Sequence, residues 1–353
     1  MSVETVDVII VGAGPAGASA ALELERRRVN CLLLDRAGFP RDKPCAGILP
    51  PKISELVGPL PDGVFERKIG GYLLHTASGL TFRSRFSRTG YSVDRSKFDA
   101  WLVSKLKSAP RRATFLREEE EAGRIRVSTA EADAHCRVLI GADGVNSRVR
   151  AGISVPPGRM AAAIQATLPM STSDIKGRTK DWFHVFYLVP GGYGWVAPHF
   201  EVLKAGIGSI LPKHAGQEAL LRFLSHPDVR ELTGGTEVSH LEAHRIPMSG
   251  PSSKVGQGRV LLAGDAGGFV FPGTGEGIRF AMESGICAAR TAAEAVRQGF
   301  SGPMLQRAYK RRLSEEGLLS LREVDYQSVL RTPESAEGYV KGLISLSRRA
   351  SSS

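Results

Sequence analysis

The sequence predicts an α/β fold with two lobes and a helical C-terminal segment, and three observations indicate it. Residues 7–35 run from an apolar strand through a glycine-rich loop into a helix and a second strand. Two later apolar strands, within residues 137–145 and 259–277, are each followed by an aspartate next to a glycine. Short segments with alternating polarity lie between them. This order predicts a Rossmann-like lobe on a discontinuous parallel sheet and a second lobe on an antiparallel sheet.

The N-terminal segment has the spacing G-x-G-x-x-G directly after a short apolar run that is typical of a buried parallel strand. Gly12 permits the tight turn, Gly14 lets a pyrophosphate approach the backbone, and Gly17 lets helix and strand pack closely. The N-terminus of the helix offers N–H groups and partial positive charge to phosphates. Asp35 ends the second strand and can accept hydrogen bonds from an adenosine ribose. The segment therefore predicts a dinucleotide site.

This motif alone does not distinguish FAD from NAD, but the two later segments do. Residues 137–145 read RVLIGADGV, and residues 259–277 contain Gly-Asp followed by a glycine-rich loop that opens a helix. The three segments, in this order, resemble the para-hydroxybenzoate hydroxylase-like flavoprotein superfamily. That resemblance implies FAD, with the Gly-Asp pair on the ribityl chain and the following helix N-terminus at the pyrimidine end of the flavin. It also implies that no separate nicotinamide domain exists.

Composition is that of a globular protein large enough for two lobes. The chain has 353 residues, of which 42% are hydrophobic and 24% are charged. No apolar run is long enough to span a membrane, and the N-terminus leads directly into a core strand, so we expect a cytoplasmic protein. The four cysteines lack metal-ligand spacing, and we predict no metal site.

The formal net charge of +11 is large for this length. No nucleic-acid-binding module accompanies it, so we expect no nucleic-acid partner. A basic surface suits an anionic membrane face, a phosphorylated cofactor or an anionic substrate, and it is equally typical of a solvated surface.

The FAD-binding lobe is expected to be discontinuous, because its motifs lie near both ends of the sequence. We assign residues 1–60, 95–150 and 256–300 to it. Residues 61–94 and 151–255 are predicted to form the antiparallel substrate lobe, with a hairpin turn at Ser78-Gly79. Residues 301–353 are predicted to form a charged helical segment.

The end of that segment combines apolar and basic residues. From Tyr339 to Arg349 these are Val340, Leu343, Ile344 and Leu346, together with Lys341, Arg348 and Arg349. The apolar run is too short to span a bilayer, so it supports peripheral contact with a membrane surface and nothing more. The sequence leaves the oligomeric state open.

Three further segments narrow the resemblance. Pro44-Cys45-Ala46-Gly47 matches the P-x-C-x-G motif of the geranylgeranyl reductase family of flavoproteins. Residues 91–102, YSVDRSKFDAWL, resemble the D-R-x-x-F-D-x-x-L segment of that family, and residues 272–277, PGTGEG, resemble its N-P-x-T-G-E-G loop. These matches extend in order from residue 7 to about residue 290.

The motifs and the resemblance together predict the residues that hold FAD, with NADH or NADPH as the electron donor. These residues are Gly12, Gly14, Pro15, Ala16, Gly17, Asp35, Arg36, Arg95, Asp143, Gly144, Gly264, Asp265, Gly275 and Gly277.

The family's substrate-cavity motif, Y-x-W-x-F-P, falls on Tyr193, Trp195 and Pro198, with Ala197 where the family has phenylalanine. Phe271 likewise stands where the family usually has asparagine. Tyr193 and Trp195 alternate along one strand and therefore share a face. They are interpreted either as an aromatic wall for a flat or isoprenoid group or as packing between the lobes.

Cys45 is the candidate catalytic residue. A thiol is mostly protonated at neutral pH, so Cys45 could donate the proton that accompanies hydride delivery to an alkene. The alternative is a loop thiol that only packs near the flavin. His184 and His199 are interpreted as ordinary sheet residues. Arg41 and Lys43 could reach the pyrophosphate or a nicotinamide, or remain solvated.

Two functions follow from these residues. The first is an FAD-dependent oxidoreductase that reduces double bonds of a lipophilic, prenylated substrate. The alternative is an FAD-dependent monooxygenase that hydroxylates or epoxidises a prenylated aromatic compound, since the same scaffold supports oxygen transfer. A non-catalytic flavoprotein that senses or carries electrons is a third interpretation.

Overall fold

The computed structural model describes residues 3–121, 123–189, 191–210 and 216–350, without the side chains of residues 327, 333 and 346–350. The chain divides into two compact units, each made of three separate segments. The first unit contains Met1–Arg41, Asp99–Arg159 and Pro247–Glu323, and the second contains Asp42–Phe98, Met160–Ile246 and Val324–Ser353.

Strands and helices alternate along much of the chain. In the described ranges the strands are β1 (Glu4–Thr5), β2 (Val8–Val11), β3 (Cys31–Asp35), β4 (Ile48–Leu49), β5 (Phe65–Thr76), β6 (Thr81–Val93), β7 (Arg111–Arg112), β8 (Phe115–Glu121), β9 (Arg124–Thr129), β10 (Asp133–Cys136), β11 (Val138–Gly141), β12 (Met160–Pro169), β13 (Phe183–Tyr187), β14 (Gly192–Pro198), β15 (Val202–Ser209), β16 (His240–Pro247), β17 (Gly256–Gln257) and β18 (Val260–Leu262). The helices there are α1 (Pro15–Arg26), α2 (Lys52–Val57), α3 (Arg95–Ser104), α4 (Arg148–Gly152), α5 (Thr172–Thr179), α6 (Gly216–Leu224), α7 (Pro227–Thr233), α8 (Ile278–Gln298), α9 (Gly302–Glu315), α10 (Tyr326–Val329) and α11 (Pro333–Ala350).

The first unit is built on a six-stranded sheet in the order β17-β18-β11-β2-β3-β7. The neighbours from β18 to β7 are parallel, and every residue of β2 and β11 is buried, as expected for strands covered on both faces. Helices α1 and α8 pack closely, because Gly285 has no side chain there. A β-carbon on Gly285 would lie 2.1 Å from the carbonyl oxygen of Ala16.

A second sheet of the first unit has the order β1-β10-β9-β8 and completes its core. Side chains from both sheets form one buried cluster, which includes Ile9, Val127, Cys136 and Leu139. Burial raises the pKa of the Cys136 thiol to about 12, so this cysteine behaves as a small apolar core residue.

The second unit is built on an eight-stranded sheet in the order β16-β12-β15-β14-β13-β5-β6-β4. The neighbours from β12 to β4 are antiparallel, except that β13 and β5 are parallel. The mixed α/β architecture predicted from the sequence is confirmed. The predicted hairpin is longer than its sequence pattern suggested, and Gly79 adopts φ +80° in the turn between β5 and β6.

One face of this eight-stranded sheet is covered by α5, α6 and α7. Val196 of β14 and Phe186 of β13 pack there against Leu220, Phe223 and Val229 of the helices. Gly194 leaves room for this contact, since a β-carbon there would lie 2.3 Å from the Phe223 ring.

The unit boundaries differ from the predicted lobes. Residues 42–60 belong to the second unit, because the short strand β4 pairs with β6. The C-terminal segment, residues 301–353, does not form a separate unit but is divided between the two units. Residues up to Glu323 belong to the first unit, where the Tyr309 hydroxyl donates to the Leu262 carbonyl oxygen at 2.8 Å. Helices α10 and α11 belong to the second unit, in which α11 packs on β5 and β6.

The apolar residues of the predicted membrane-facing segment pack partly against the protein. Val340 of α11 is fully buried, and Leu343 and Ile344 are half-buried. The side chains of Leu346, Arg348 and Arg349 lie outside the described residues. No helix in the described ranges is long and apolar enough to cross a membrane.

Candidate functional site

The three glycine-containing segments meet at one edge of the parallel sheet of the first unit. Val11, Gly141 and Leu262 end three adjacent parallel strands and stand side by side in register. The loops that follow them carry Gly12, Asp143 and Asp265, respectively. The carboxyl edge of a parallel sheet is where open α/β folds bind their ligands.

The N-terminal loop has no room for side chains at its ends. Gly12 has φ +99°, and a β-carbon on it would lie 2.3 Å from the carbonyl oxygen of Ala142. A β-carbon on Gly17 would lie 1.7 Å from the Gly12 carbonyl oxygen. Gly14 differs, because only Arg41 Nη2, at 3.4 Å, comes within 4 Å of a β-carbon placed there. The loop is thus closed by packing at Gly12 and Gly17 and open at Gly14, the position expected to face the pyrophosphate.

Asp35 holds this loop in place. Its Oδ2 accepts a hydrogen bond from the Ala13 N–H at 2.7 Å, and its Oδ1 accepts one from the Ala37 N–H at 2.9 Å. The carboxylate therefore ties the end of β3 to the turn before α1. Its predicted hydrogen bond to an adenosine ribose stays a prediction.

Arg41 provides a cation beside the open position of the loop. Its Nη2 lies 3.7 Å from Asp99 Oδ2, and its guanidinium lies over the Phe39 ring at 5.1 Å. The Nε of Arg41 is buried without a hydrogen-bond partner in the described structure. A half-buried guanidinium beside Gly14, with its Nε unpaired, fits a phosphate ligand, since phosphate oxygens accept charge-assisted hydrogen bonds from arginine.

The Asp-Gly segment after β11 is organised around Asp143. Its Oδ1 accepts from the Ser147 hydroxyl at 2.5 Å, and its Oδ2 accepts from the N–H groups of Arg148 and Val149 at 2.7 and 3.2 Å. Burial raises the pKa of Asp143, although these hydrogen bonds act against the shift. Asp143 thus binds the first two N–H groups of α4, whose N-cap is Ser147, and the adjacent Gly144 has φ +82°, which favours glycine.

Arg150, which the sequence analysis did not single out, connects two of the loops. Its Nη2 donates to the Val145 carbonyl oxygen at 2.9 Å and its Nη1 to the Ala266 carbonyl oxygen at 3.4 Å. Burial lowers its pKa, while the charges of Asp143 and Asp265 oppose that shift. A buried cation between two aspartates helps to keep both loops in position.

The Gly-Asp segment after β18 and the loop that follows it contain four of the predicted cofactor residues. The N–H of Gly264 donates to the Ser284 hydroxyl at 2.9 Å, and Gly264 has φ +59°. A β-carbon on Gly277, which caps α8, would lie 3.8 Å from Asp265 Oδ1. Gly275, at φ +68°, lies in the turn between them. Asp265 and the N-terminus of α8 are therefore neighbours.

Two further residues were predicted to bind the cofactor. Arg36 is exposed after β3, and Arg95 is buried at the start of α3 within the second unit. Their assignment to FAD stays a prediction.

The first unit fits FAD. The open face at Gly14, the backbone of Pro15, Ala16 and Gly17 at the start of α1, and the unpaired Nε of Arg41 would hold the pyrophosphate. Asp265 and Gly277 would hold the ribityl chain and the flavin end. No group of three or more histidine, cysteine or acidic side chains within the described residues is arranged for a metal ion.

In the second unit, the predicted substrate residues form part of an aromatic cluster. Tyr193 and Trp195 lie on the face of β14 opposite the one that packs against the helices, with ring centroids 6.0 Å apart. Gly206 on β15 accommodates the indole, because a β-carbon there would lie 2.4 Å from Trp195 Cζ2. Ala197 and Pro198 complete the strand and are buried.

Three more tyrosines extend this cluster. Tyr326 of α10 has its ring centroid 6.1 Å from that of Tyr193, and Tyr339 of α11 lies 5.6 Å from Tyr187. Burial raises the pKa of all these phenols, so their hydroxyls stay neutral. No local pattern could have linked Tyr326 and Tyr339 to the cavity motif, because their contact depends on how the C-terminal segment folds back.

The Cys45 turn is held by its backbone carbonyl groups. Gln165 Nε2 donates to the Cys45 carbonyl oxygen at 3.4 Å, and the Val93 N–H donates to the Gly47 carbonyl oxygen at 2.8 Å. The Gly47 N–H donates to Cys45 Sγ at 3.3 Å. Gln165 Oε1 in turn accepts from Trp195 Nε1 at 3.3 Å. One network thus connects the candidate acid to the aromatic cluster.

The two strand histidines have different surroundings. His184 forms a 3.0 Å ring-to-ring hydrogen bond with His75, and burial lowers the pKa of both to about 4. This neutral pair is consistent with an ordinary sheet residue. His199 instead contacts Glu66 and the Cys45 turn. Lys43 belongs to the second unit.

Comparisons with known proteins agree with this geometry. The family described as FAD binding domain matches residues 5–60 and 109–315. A geranylgeranyl diphosphate reductase of Rhodobacter capsulatus is 33% identical over 309 residues, covering 83% of this chain and 76% of the relative. A digeranylgeranylglycerophospholipid reductase of Methanopyrus kandleri is 30% identical over 333 residues, covering 88% and 86%.

Among solved structures, a geranylgeranyl bacteriochlorophyll reductase-like protein of Thermoplasma acidophilum superimposes with a TM-score of 0.78 at 22% identity. The match covers 94% of this chain and 88% of that one. Fold and site therefore define an FAD-dependent oxidoreductase. More narrowly, the chain belongs to the geranylgeranyl reductase family, as its motifs suggested.

Proposed function

We propose that the protein reduces isoprenoid double bonds of a lipophilic substrate, with electrons that come from NADH or NADPH. The observation that carries this proposal is the Cys45 turn in a chain of this family, where the thiol accepts from the Gly47 N–H and Gln165 binds the Cys45 carbonyl group. The relatives are named as reductases of geranylgeranyl compounds, and this supports the same substrate class.

Reduction of an alkene needs a hydride on one carbon and a proton on the other. FAD, when bound and reduced, supplies the hydride. The proton is assigned to the thiol of Cys45, whose sulfur is oriented by the Gly47 N–H at 3.3 Å. Because that contact uses a lone pair of the sulfur, the S–H group remains available as a donor. Asp143 and Glu66 already accept short hydrogen bonds within the protein, which makes them poorer candidates for the acid.

The aromatic cluster of the second unit is assigned to the isoprenoid chain. Trp195→Ala is expected to raise KM for a prenylated substrate by about 10- to 100-fold, because burial of a large apolar group contributes about 1.5–3 kcal/mol. KM for the unprenylated analogue should change much less. Steady-state kinetics with both compounds measures the difference.

Trp182→Ala is the matched control, because this indole lies beside Arg83 and Arg85 and not in the tyrosine cluster. It should leave the ratio of the two KM values unchanged. An equal effect of Trp195→Ala on both compounds would show that the aromatic cluster does not bind the isoprenoid.

The alternative, a monooxygenase, uses the same fold, and the small Ala197 in the cavity motif would give a bulkier substrate room. Molecular oxygen distinguishes the two functions. With a chemical reductant supplied under strict anaerobiosis, the proposed reductase continues to turn over a prenylated substrate. Turnover that stops without oxygen and returns when air is admitted would establish the monooxygenase instead.

A further inference from the structure

A bulge in β5 brings two consecutive charged residues to the same histidine. Phe65 pairs with Val93 and Arg67 with Ser92, so Glu66 is an extra residue in the strand. In a regular strand, consecutive side chains point to opposite faces. Here Glu66 Oε2 lies 2.5 Å from His199 Nδ1, and Arg67 Nη1 donates to the His199 carbonyl oxygen at 3.4 Å.

Both ring nitrogens of His199 face hydrogen-bond acceptors. Nδ1 faces the Glu66 carboxylate at 2.5 Å, and Nε2 faces the carbonyl oxygen of Ala46 at 3.0 Å. A carbonyl oxygen cannot donate, and a neutral imidazole carries only one N–H group. With the Glu66 carboxylate ionised, as its lowered pKa favours, both contacts are satisfied at once only when both nitrogens carry protons. The His199 side chain is fully buried, so water does not replace either partner.

We propose that His199 is a positioning residue for Cys45, held as an imidazolium between Glu66 and the Ala46 carbonyl group. The inference rests on the proposed function in so far as it concerns catalysis by Cys45. The charge state and the position of the turn are properties of the protein that can be measured without a substrate.

His199 completes the support of the turn. The carbonyl groups of Cys45, Ala46 and Gly47 are bound, in order, by Gln165, His199 and the N–H of Val93. Three consecutive peptide groups are thus attached to three different parts of the second unit. Gly47 has φ +67°, and a β-carbon there would lie 2.2 Å from the Val93 carbonyl oxygen and 3.1 Å from His199 Cε1. The turn fits tightly against the imidazole.

The charges around His199 favour the ion pair. Burial raises the pKa of Glu66, but the hydrogen bond and charge of His199 outweigh it, so the net shift is downward. Asp94 opposes this shift, and Lys204 adds to it. Arg67 is itself paired with Asp181, its Nε lying 2.9 Å from Oδ1, which limits its repulsion of the imidazolium. Glu66 is therefore the counter-ion that keeps the buried charge paired.

The charge state is tested by ¹⁵N NMR of the FAD-loaded full chain labelled at histidine. At pH 8 one imidazole should have both nitrogens protonated, because both nitrogens of His199 face acceptors. That signal should disappear in His199→Gln, and in Glu66→Gln the His199 signal should be that of a neutral tautomer. A wild-type spectrum with only neutral imidazoles at pH 8 would overturn the proposal, whether or not the variants fold.

The positioning role is tested by alkylation of Cys45 with iodoacetamide, with Cys45→Ala to identify the labelled site. Glu66→Gln and His199→Gln should each change the alkylation rate by about tenfold or more, the scale expected for losing a hydrogen bond to a charged group. His240→Gln, which alters an exposed histidine on β16, should leave it unchanged. Wild-type alkylation rates in both Glu66→Gln and His199→Gln would refute positioning by His199. A Cys45→Ala variant with normal turnover would refute only the proposed catalytic role, since neither measurement here depends on turnover.

Discussion

Gly14→Val is expected to abolish FAD binding, so that the purified variant is colourless where the wild-type protein is yellow. Gly14 is the one open position of the N-terminal loop, with only Arg41 Nη2 near a β-carbon there, at 3.4 Å. A branched side chain would fill the space into which the pyrophosphate must come and would separate it from Arg41. The flavin absorbance per chain, measured after reconstitution with excess FAD, gives the result.

Gly177→Val is the matched control, because a β-carbon at Gly177 meets no atom within 4 Å and the residue lies in α5 of the second unit. It should retain about one FAD per chain. The melting temperature of Gly14→Val should equal that of the FAD-free wild-type protein, which separates loss of the cofactor from unfolding. Full flavin content in Gly14→Val would show that the cofactor binds elsewhere.

Cys45→Ala is expected to slow turnover of a prenylated substrate by about 10²–10⁴-fold, the scale for removal of a general acid. Flavin content and melting temperature should stay close to those of the wild-type protein, because the turn is held mainly by its carbonyl groups and not by the sulfur. Rapid kinetics with pre-reduced protein measures the loss.

Cys31→Ala provides the comparison for this variant. Burial raises the pKa of the Cys31 thiol to about 11, and the residue lies in β3 of the first unit, so it should not matter for proton transfer. Normal turnover in Cys45→Ala would mean that the proton comes from another group, and it would favour the monooxygenase, which has no need of an acid there.

The parts of the site that could be predicted from sequence are those whose geometry is local. A strand, a G-x-G-x-x-G loop and a helix form within about 20 residues, so Gly12, Gly14 and Gly17 could be given roles directly. The alternation of Tyr193 and Trp195 similarly indicated one face of a strand. The side-by-side placement of the three loops could also be expected, since parallel strands share a carboxyl edge.

The remaining parts depend on contacts between residues far apart in the chain. Arg150 connects two loops because it reaches the Ala266 carbonyl oxygen. His199 has an acidic partner because a bulge in β5 turns Glu66 towards it. Sequence alone suggested an ordinary sheet histidine for His199. Residues 324–345 could not be assigned to the second unit in advance, because a charged helical pattern does not indicate which sheet it packs on.

The mass of the product shows whether the protein adds hydrogen to an isoprenoid double bond. FAD-loaded protein, a chemical reductant and geranylgeranyl diphosphate are incubated in parallel without oxygen and in air, and the products extracted from both are measured by mass spectrometry. We expect a product that has gained two hydrogen atoms for each reduced double bond, with the yield greatly reduced in Cys45→Ala. A product that has gained an oxygen atom, formed only when air is present, would contradict it.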